Sequence, residues 1–286
     1  MKILVTGATG FVGNYVVKHL LQHYTNTEII ATSTSRSKAE AYEWFNGVTF
    51  KEFNLNDPKG VIENYFDYFD RPDKLIHLAW EGLPNYKELF HFEKNLFAHY
   101  NFLKQLIEEG LNDITITGTC FEYGMQEGAL SESAISAPSN PYALAKETLR
   151  NFLVELNKKK KFDLKWTRLF YMYGKGQSPN SLIPQLEKAL EKGEQVFNMS
   201  GGEQLRDYLP IEKIGEYIVK IALQNEVTGI INCSSGTPVS VKDFVTEYLK
   251  GRNKNIRLNL GFYPYADFEP MNFWGKNEKL MKVIQK

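Results

Sequence analysis

Cysteine and net charge are both scarce in this sequence. Only Cys120 and Cys233 occur among its 286 residues. Two cysteines are too few for a disulfide framework, and these lack the spacing of a metal site. Such scarcity is typical of a reducing compartment, so we expect a cytoplasmic protein without a metal. Because 34 basic and 34 acidic side chains cancel, no net charge favours nucleic acid or an anionic membrane as a partner.

Long apolar runs are also missing. No stretch approaches the roughly 18 apolar residues of a membrane span, and the apolar run near the N-terminus is too short for a secretion signal. We therefore expect no membrane partner. With 43% hydrophobic and 14% aromatic residues, the chain has enough apolar side chains to form one large core, or a core and a smaller lobe. A small molecule is the expected ligand.

Short apolar runs alternate with longer segments that have the period of a helix. This alternation predicts an α/β fold of the Rossmann type, with a doubly wound parallel sheet covered by helices on both faces. The predicted strands are Ile3–Thr6, Glu28–Thr32, Val48–Phe53, Lys74–Leu78, Asp113–Thr117 and Leu164–Leu169. The predicted helices lie at 11–23, 58–68, 86–109 and 141–160.

The alternation fades after residue 170, where turn-rich stretches and an aromatic-rich tail follow. We predict a main unit of residues 1–170 with 207–235, and a smaller lobe of 171–206 with 236–286. The predicted helices 86–109 and 141–160 carry apolar residues on more than one stripe, which fits either a dimer interface or core packing.

A glycine-rich turn lies between the first strand and the first helix. Gly7 would allow a tight turn, Gly10 would let a pyrophosphate approach backbone N–H groups, and Gly13 would let the helix pack on the strand. This context predicts a dinucleotide site. At the end of the second strand no acid is present to take a ribose 2′-hydroxyl, whereas Ser33, Ser35 and Arg36 are suited to a 2′-phosphate. The sequence therefore favours NADPH over NADH or NAD.

A tyrosine and a lysine suited to proton transfer lie in the predicted helix 141–160. Tyr142 and Lys146 share one face of it because they are four residues apart. A neighbouring ammonium stabilises phenolate, so we expect a lowered Tyr142 pKa and a hydroxyl that exchanges a proton with substrate. Thr119 follows the fifth strand, at the edge of the sheet where ligands bind. Its hydroxyl is predicted to hydrogen-bond the reacting oxygen, although a threonine there also fits a structural cap.

With these residues, the chain resembles the extended short-chain dehydrogenase/reductase family, the NAD-dependent epimerase/dehydratase group that acts on sugar nucleotides. The resemblance covers nearly the whole length. The matching motifs are TGATGFVG, YALAK, His77-Leu78-Ala79, Asn95, Arg168, Tyr173-Gly174, Arg206-Asp207-Tyr208, Asn232 and Ser235-Gly236.

The resemblance implies roles for particular residues. Tyr142 would be the acid/base, Lys146 would also bind the nicotinamide ribose, and Thr119 would orient the reacting oxygen. The main unit would hold the dinucleotide, and the smaller lobe the sugar nucleotide. The implied cofactor residues are Gly7, Thr9, Gly10, Phe11, Val12, Gly13, Ser33, Ser35, Arg36, Asn54, Leu55, Leu78, Ala79, Trp80, Asn95 and Lys146. The implied substrate residues are Thr119, Cys120, Tyr142, Tyr171, Gln177 and Arg206, the last of these facing the diphosphate. The family also implies a homodimer.

Departures from the family pattern bear on the reaction. In the 4,6-dehydratases an Asp-Glu pair follows the catalytic threonine, but Cys120 and Phe121 hold those places here, and neither can supply the acid or base that dehydration needs. The 4-epimerases mostly retain the acid that selects NAD, which Ser33 replaces. The chain looks most like the CDP-abequose synthase type of reductase, which implies reduction of a CDP- or dTDP-4-keto-6-deoxyhexose with NADPH.

Two other functions remain open. An NAD-dependent sugar-nucleotide 4-epimerase would carry tightly bound NAD. A non-catalytic member that senses dinucleotide is disfavoured because Thr119, Tyr142 and Lys146 are all retained. A nucleic-acid role has only the basic run 158–161 in its favour, and that run lacks interleaved aromatics.

Overall fold

The fold is seen in a computed structural model, which describes residues 1–57, 62–267 and 269–285. Its central feature in that part of the chain is a seven-stranded parallel sheet, as predicted. The strands are β1 (Lys2–Thr6), β2 (Glu28–Ser33), β3 (Thr49–Glu52), β4 (Lys74–His77), β5 (Asp113–Thr119), β7 (Asp163–Leu169) and β12 (Gly229–Cys233), in the order β12-β7-β5-β4-β1-β2-β3. Strand succession reverses direction between β1 and β4, so the ligand crevice is expected beyond their carboxyl ends.

The six strands predicted from the sequence all occur, with small differences at their ends. Strand β5 runs two residues further than predicted and ends at Thr119, which is therefore the last residue of a fully buried strand. The edge strand β12 was not among the predicted strands. Its segment Gly229–Cys233 contains the polar Asn232, which interrupts the apolar run.

Helices cover both faces of the sheet. The α-helices of the described residues are α1 (Phe11–His23), α2 (Arg36–Glu40), α3 (Tyr65–Tyr68), α4 (Leu96–Glu109), α5 (Pro141–Lys159), α6 (Leu182–Glu191), α7 (Ile211–Leu223), α8 (Val241–Gly251) and α9 (Glu278–Ile284), of which α6 and α8 lie in a separate cluster. One apolar cluster packs α1 and α7 on one face, and a second packs α4 and α5 on the other. Helix α5 begins as the sequence predicts, with Pro141 in its first turn and the Asn140 side chain accepting a hydrogen bond from the Ala143 N–H.

Two predicted helices differ from the structure. Of the predicted helix 58–68, residues 58–61 lie outside the described residues, and the described remainder forms only the single turn α3. The predicted helix 86–109 begins at His91 as a π-helical turn, His91–Asn95, that continues into α4. A π-helical turn changes the helical register, which alters the side chains that face the sheet.

The later part of the chain adds short paired strands and a separate apolar cluster. These strands are β6 (Gly128–Leu130), β8 (Tyr171–Tyr173), β9 (Val196–Asn198), β10 (Leu205–Arg206), β11 (Tyr208–Pro210), β13 (Val239–Ser240), β14 (Arg257–Asn259) and β15 (Phe273–Gly275). The cluster joins α6 to α8 through residues such as Leu186 and Val245. The two-unit division stays a prediction, and α9 departs from it: Leu280 and Val283 pack on Ile221 and Ile231 of the main sheet unit.

Among the residues that the structure describes, no helix combines the length and the apolar character needed to cross a membrane.

Candidate active site

The glycine turn has the geometry of a dinucleotide cradle. Gly7 adopts φ +69°, and a Cβ there would lie 2.8 Å from the Ala79 backbone nitrogen. A Cβ on Gly13 would lie 2.1 Å from the Gly7 carbonyl oxygen. Gly10 caps α1 without a side-chain hydrogen bond, so the first N–H groups of a 13-residue helix remain open to an anion. These observations fit a pyrophosphate at the helix N-terminus.

The other predicted cofactor residues surround this turn. Thr9 is buried, and its carbonyl accepts a hydrogen bond from Tyr42 Oη at 3.0 Å. Phe11 and Val12, in the first turn of α1, are partly buried against the core. Leu78 and Ala79 follow β4, and their N–H groups donate to Thr6 Oγ1 at 3.2 and 3.3 Å. This contact fixes the strand ends that frame the turn.

The polar loops after β3 and before α4 meet one another. Asn95 is fully buried, and its Nδ2 donates to the Glu81 carbonyl at 3.0 Å. Asn56 Nδ2 donates to Asn95 Oδ1 at 3.2 Å. Asn54, through its Oδ1, accepts from the Asn56 N–H at 3.1 Å, and Leu55 packs against the core. The structure thus brings Asn54, Leu55 and Asn95 to one region, as the family resemblance implies.

The predicted 2′-phosphate residues lie together at the end of β2, and some of their donors already have partners. The exposed Arg36 has its guanidinium 5.4 Å from the centroid of Phe50, and its Nη2 donates to the Phe50 carbonyl at 3.3 Å. Ser33 Oγ donates to the Ser35 carbonyl at 3.4 Å. The carboxylate of Glu52 accepts the Arg36 backbone N–H at 2.8 Å. The Glu52 carboxylate on β3 therefore lies next to Ser33, the position at the end of β2 where the acid is missing.

Thr119, at the end of β5, is a structural cap, and its hydrogen bond to a reacting oxygen stays a prediction. Its Oγ1 accepts the Phe121 N–H at 3.3 Å and so caps the short 3₁₀ helix Cys120–Tyr123. The Glu122 carboxylate accepts the Thr119 N–H at 2.8 Å. Since Oγ1 uses a lone pair as the cap, its proton is left for another acceptor, and the Thr119 side chain also hydrogen-bonds Tyr142.

Tyr142 and Lys146 are both buried, and both turn inward from α5. Lys146 Nζ donates to the Thr117 carbonyl at 2.9 Å and lies 4.1 Å from the centroid of the Trp80 ring system. The Tyr142 ring lies 5.5 Å from the ring of Tyr86 and 5.3 Å from that of His91. Strand β5 and helix α5 therefore bring Thr119, Tyr142 and Lys146 to one place.

The pKa of Tyr142 differs from the expectation of a lowered value. Burial raises it well above 10, and Tyr86, Glu122 and Cys120 add to the effect, while the hydrogen bond with Thr119 acts the other way. Burial also lowers the pKa of Lys146 to about 7, against the opposing effect of the Glu122 carboxylate. The phenol is thus protonated at neutral pH, because loss of hydration is the largest effect on its pKa.

A buried ion-pair network supports the catalytic loop. Arg168 Nε donates to Glu122 Oε2 at 2.6 Å, with both side chains fully buried. Trp166 Nε1 donates to the same oxygen at 2.9 Å. These bonds hold Glu122, which in turn holds the Thr119 backbone. Sequence reasoning noted Arg168 as a family match but did not place Glu122 in the site.

The remaining predicted substrate residues are Cys120, Tyr171, Gln177 and Arg206. Cys120 is buried beside Tyr86 and Glu269, and burial, followed by Glu269, raises the pKa of its thiol. Gln177 Nε2 donates to the Met172 carbonyl at 2.9 Å, while its buried Oε1 has no partner among the described residues. Arg206 is 4% exposed, and Tyr171 lies against it, with 5.5 Å between the guanidinium and the ring centroid.

Comparison with protein-family models decides the assignment that the geometry suggests. The model of the NAD dependent epimerase/dehydratase family matches residues 3–234. The chain belongs to this family.

Relatives within the family act on sugar nucleotides. The chain is 30% identical to dTDP-6-deoxy-L-talose 4-dehydrogenase (NAD(+)) of Aggregatibacter actinomycetemcomitans over 278 residues, which is 96% of this chain and 99% of that protein. It is 27% identical to GDP-6-deoxy-D-talose 4-dehydrogenase of the same organism, over 99% of this chain and 91% of the other. Membership of the family makes this chain an NAD-dependent enzyme of the epimerase/dehydratase type.

Solved structures of the family share the fold. UDP-N-acetylglucosamine 4-epimerase from Methanobrevibacter ruminantium M1, in complex with UDP-N-acetylmuramic acid, superposes with a TM-score of 0.86 at 20% identity and covers 100% of this chain and 92% of its own. UDP-glucuronic acid 4-epimerase from Bacillus cereus, in complex with UDP-glucuronic acid and NAD, gives 0.83 at 20% identity, covering 100% and 93%. At this identity the likeness concerns the architecture.

Glu269 contacts two of the predicted substrate residues, and sequence reasoning missed it. Its Oε2 accepts from Arg206 Nη2 at 2.9 Å and from Tyr171 Oη at 2.6 Å. In the sequence Glu269 is 98 residues from Tyr171 and 63 residues from Arg206, so no local spacing predicts these contacts. The predicted diphosphate ligand Arg206 therefore meets a carboxylate of its own chain.

Proposed function

We propose that this enzyme transfers hydride at C4 of a dTDP- or CDP-linked 6-deoxyhexose, interconverting the 4-keto and 4-hydroxy sugars. The observation that carries the proposal is the pair Cys120 and Phe121 directly after Thr119, beside an intact Tyr142 and Lys146. Glu122, the nearest carboxylate along the chain, is fully buried in its bonds to Arg168 and Trp166. The loop thus supports proton exchange with an oxygen but offers no acid and base for loss of water.

The residues of the chain divide the proton chemistry between them. The nicotinamide, when bound, supplies or accepts the hydride. In the reducing direction Tyr142 donates its phenolic proton to the C4 oxygen, and its protonated state at neutral pH suits that step. The Thr119 hydroxyl donates a second hydrogen bond to the same oxygen. The pKa of Lys146 is about 7, and its ammonium form stabilises the negative charge of the phenolate left on Tyr142.

A dTDP-linked substrate is supported by the 30% identical relative, whose name specifies a dTDP-6-deoxyhexose and oxidation at C4.

A sugar-nucleotide 4-epimerase is the second candidate, because epimerases such as that of Bacillus cereus share the architecture. The two functions differ in one respect that can be measured: an epimerase returns its hydride to the same sugar and consumes no external cofactor.

Cofactor choice is a separate part of the proposal. The absence of an acid on β2 favoured NADPH, with Ser33, Ser35 and Arg36 around the 2′-phosphate. The Glu52 carboxylate, which accepts the Arg36 backbone N–H, disfavours NADPH because a carboxylate at this place repels the 2′-phosphate. The name of the 30% identical relative also specifies NAD(+). We therefore propose NAD(H) as the preferred cofactor and NADP(H) as the weaker one.

The proposal is tested by following absorbance of NADH, and of NADPH in parallel, after mixing with dTDP- or CDP-4-keto-6-deoxyglucose. Stoichiometric loss of absorbance with a 4-hydroxy product is expected, faster with NADH. Oxidation of dTDP-6-deoxy-L-talose by NAD⁺, the reaction in the name of the 30% identical relative, serves as a second assay. No consumption in either direction, together with interconversion of 4-epimers by protein that carries NAD, would establish the epimerase instead.

A homodimer and a cytoplasmic location complete the proposal. Phe97 on α4 and Leu144 and Val154 on the adjacent α5 are exposed apolar side chains, and a two-fold pairing of this helix pair would bury them. Sedimentation at micromolar concentration would give the mass, with Phe97→Glu expected to shift it towards the monomer. Both cysteines are buried free thiols, which fits a reducing compartment.

A further inference from the structure

The Lys146 ammonium has an aromatic partner in place of a carboxylate. Its Nζ lies 4.1 Å from the centroid of Trp80 and donates to the Thr117 carbonyl. Within residues 1–57, 62–267 and 269–285, no carboxylate oxygen comes within the 4.0 Å of an ion pair with it. A cation over the face of an indole is attracted by the ring quadrupole, and the attraction is stronger when both are removed from water.

We propose that Trp80 is a positioning residue for Lys146, whose indole face holds the ammonium beside Tyr142, and that buried histidines fix the indole in place. The proposal rests on the catalytic role of Lys146 given above, and goes beyond it by naming the group that holds this side chain. Trp80 was predicted from the family resemblance only as a residue that lines the cofactor.

One edge of the indole is fixed by a hydrogen bond of defined direction. Trp80 Nε1 lies 3.0 Å from His91 Nδ1, and His91 Nε2 lies 3.0 Å from the Asn85 carbonyl. An indole N–H can only donate and a carbonyl can only accept. His91 is therefore neutral, with its proton on Nε2, and it belongs to the π-helical turn before α4.

The ring of Trp80 also stacks on a second fixed imidazole. His99 lies 4.5 Å from it, centroid to centroid, with 29° between the planes. His99 Nδ1 lies 2.7 Å from His77 Nε2, and His77 Nδ1 lies 2.8 Å from Thr6 Oγ1.

The direction of this second chain follows from Thr6. The Thr6 hydroxyl already accepts from the Leu78 and Ala79 N–H groups, so its one proton points to His77 Nδ1. His77 must then donate from Nε2 to His99. The strand that leads into the glycine turn is thereby linked, through two buried histidines, to the surface on which Lys146 rests.

Several titratable groups act on the Lys146 amine besides the indole. Glu122, after β5, raises its pKa. His77 on β4, His91 and His99 before and within α4, and Tyr142 one turn earlier on α5 are further titratable groups near it. Burial lowers the pKa of all three histidines, so they are neutral at the pH where Lys146 titrates. Loss of the indole should therefore appear as a further fall in the Lys146 pKa.

The test measures that pKa in ligand-free protein. Lysine ε-carbons are labelled with ¹³C, the Lys146 resonance is assigned with Lys146→Arg, and its shift is followed against pH. Trp80→Leu should lower the Lys146 pKa by roughly 0.4 to 1.5 units, whereas Trp80→Phe, which keeps an aromatic face, should restore most of it. The high-pH limb of kcat/KM should move by the same amount, since activity needs the ammonium.

A measurement on the unaltered protein tests the same proposal if either variant fails to fold. The Lys146 ε-methylene protons should resonate upfield of the other lysines because they lie over an aromatic ring. Ordinary ε-methylene shifts would overturn the proposal, and so would an unchanged Lys146 pKa in a folded Trp80→Leu protein. Both readouts need no sugar substrate, so they remain informative even if the proposed reaction is wrong.

Discussion

Tyr171 and Arg206 donate to one and the same oxygen, Oε2 of Glu269, over 2.6 and 2.9 Å. Arg206 Nη1 donates at 2.9 Å to the carbonyls of Leu205 and Met271. In the absence of substrate the guanidinium thus joins β10 to the C-terminal segment and is neutralised by its own chain. A diphosphate that binds Arg206 must compete with this carboxylate.

Replacing that carboxylate should strengthen nucleotide binding. In Glu269→Gln the Arg206 charge is no longer compensated, so we expect dTDP or CDP to bind several-fold more tightly, by calorimetry at low salt. The free energy of unfolding should fall by about 1 to 3 kcal/mol because a charged hydrogen bond is lost. Unchanged nucleotide affinity would place the diphosphate away from Arg206.

Removal of the Tyr142 hydroxyl tests the proton donor. Tyr142→Phe should lower kcat by about 10² to 10⁴-fold because the C4 oxygen loses its acid, while the dissociation constant of NADH stays near that of the unaltered enzyme. The matched control is Tyr123→Phe, which deletes another buried hydroxyl, bonded at 2.7 Å to Asn232. Comparable loss of kcat in both variants would point to a structural effect.

The Glu122–Arg168 pair tests the support of the catalytic loop. Glu122→Gln leaves the buried Arg168 guanidinium with the Glu147 carboxylate, 3.1 Å from Nη2, as its remaining counter-charge. We therefore expect a loss at the lower end of about 3 to 5 kcal/mol in the free energy of unfolding, measured in urea. The control Glu155→Gln removes a carboxylate whose ion pair with Lys158 is exposed and should change stability little. Equal effects would contradict the importance assigned to the buried pair.

Cofactor preference should respond to the acid on β3. Glu52→Gln is expected to raise kcat/KM for NADPH relative to NADH, because it removes a repelling charge near Ser33, its partner in the register of β2 and β3. Arg36→Ala should selectively weaken use of NADPH if this guanidinium meets a 2′-phosphate. Equal losses with both cofactors would instead indicate that Arg36 packs on Phe50 and does not bind the 2′-phosphate.

Stability should fall as the buried histidines are forced to take up protons. Burial, followed by the Lys146 charge, lowers the pKa of His77 to about 3, from 6.5 in the unfolded chain. The unfolded state therefore binds the proton first, and stability present above pH 6.5 is lost as pH falls towards 3. His77 alone should contribute a slope of about 1.4 kcal/mol per pH unit below pH 6. A flat unfolding free energy between pH 6.5 and 5 would show that His77 is not held neutral.

The sequence predicted those features that depend on local pattern. Strands such as β1 and β4, the glycine turn and the start of α5 at Pro141 all follow from periodicity and capping chemistry. The helical spacing of Tyr142 and Lys146, and the position of Thr119 after the fifth strand, also singled out these three residues. Local pattern could not predict the pKa of Tyr142, because the effect depends on how completely the folded chain removes it from water.

Long-range partners were the other part that the sequence could not supply. Glu122 and Arg168 are 46 residues apart, and Glu269 is 98 residues from Tyr171. No periodicity links such positions. The role of Trp80 depends likewise on three-dimensional contact, since the residue precedes Lys146 by 66 positions and stacks on an imidazole from α4.

The position of α9 also determines when the edge of the sheet becomes covered during synthesis. Leu280 and Val283 cover Ile231 on the edge strand β12, and the ribosome adds both residues only after the seven described strands of the sheet have been made. Until they emerge, a nascent chain carries an uncovered apolar edge on an otherwise assembled sheet, which is the kind of surface that chaperones bind. A stop codon before Glu278 would make that transient exposure permanent, and the truncated product is expected to aggregate even though every residue of the active site is present.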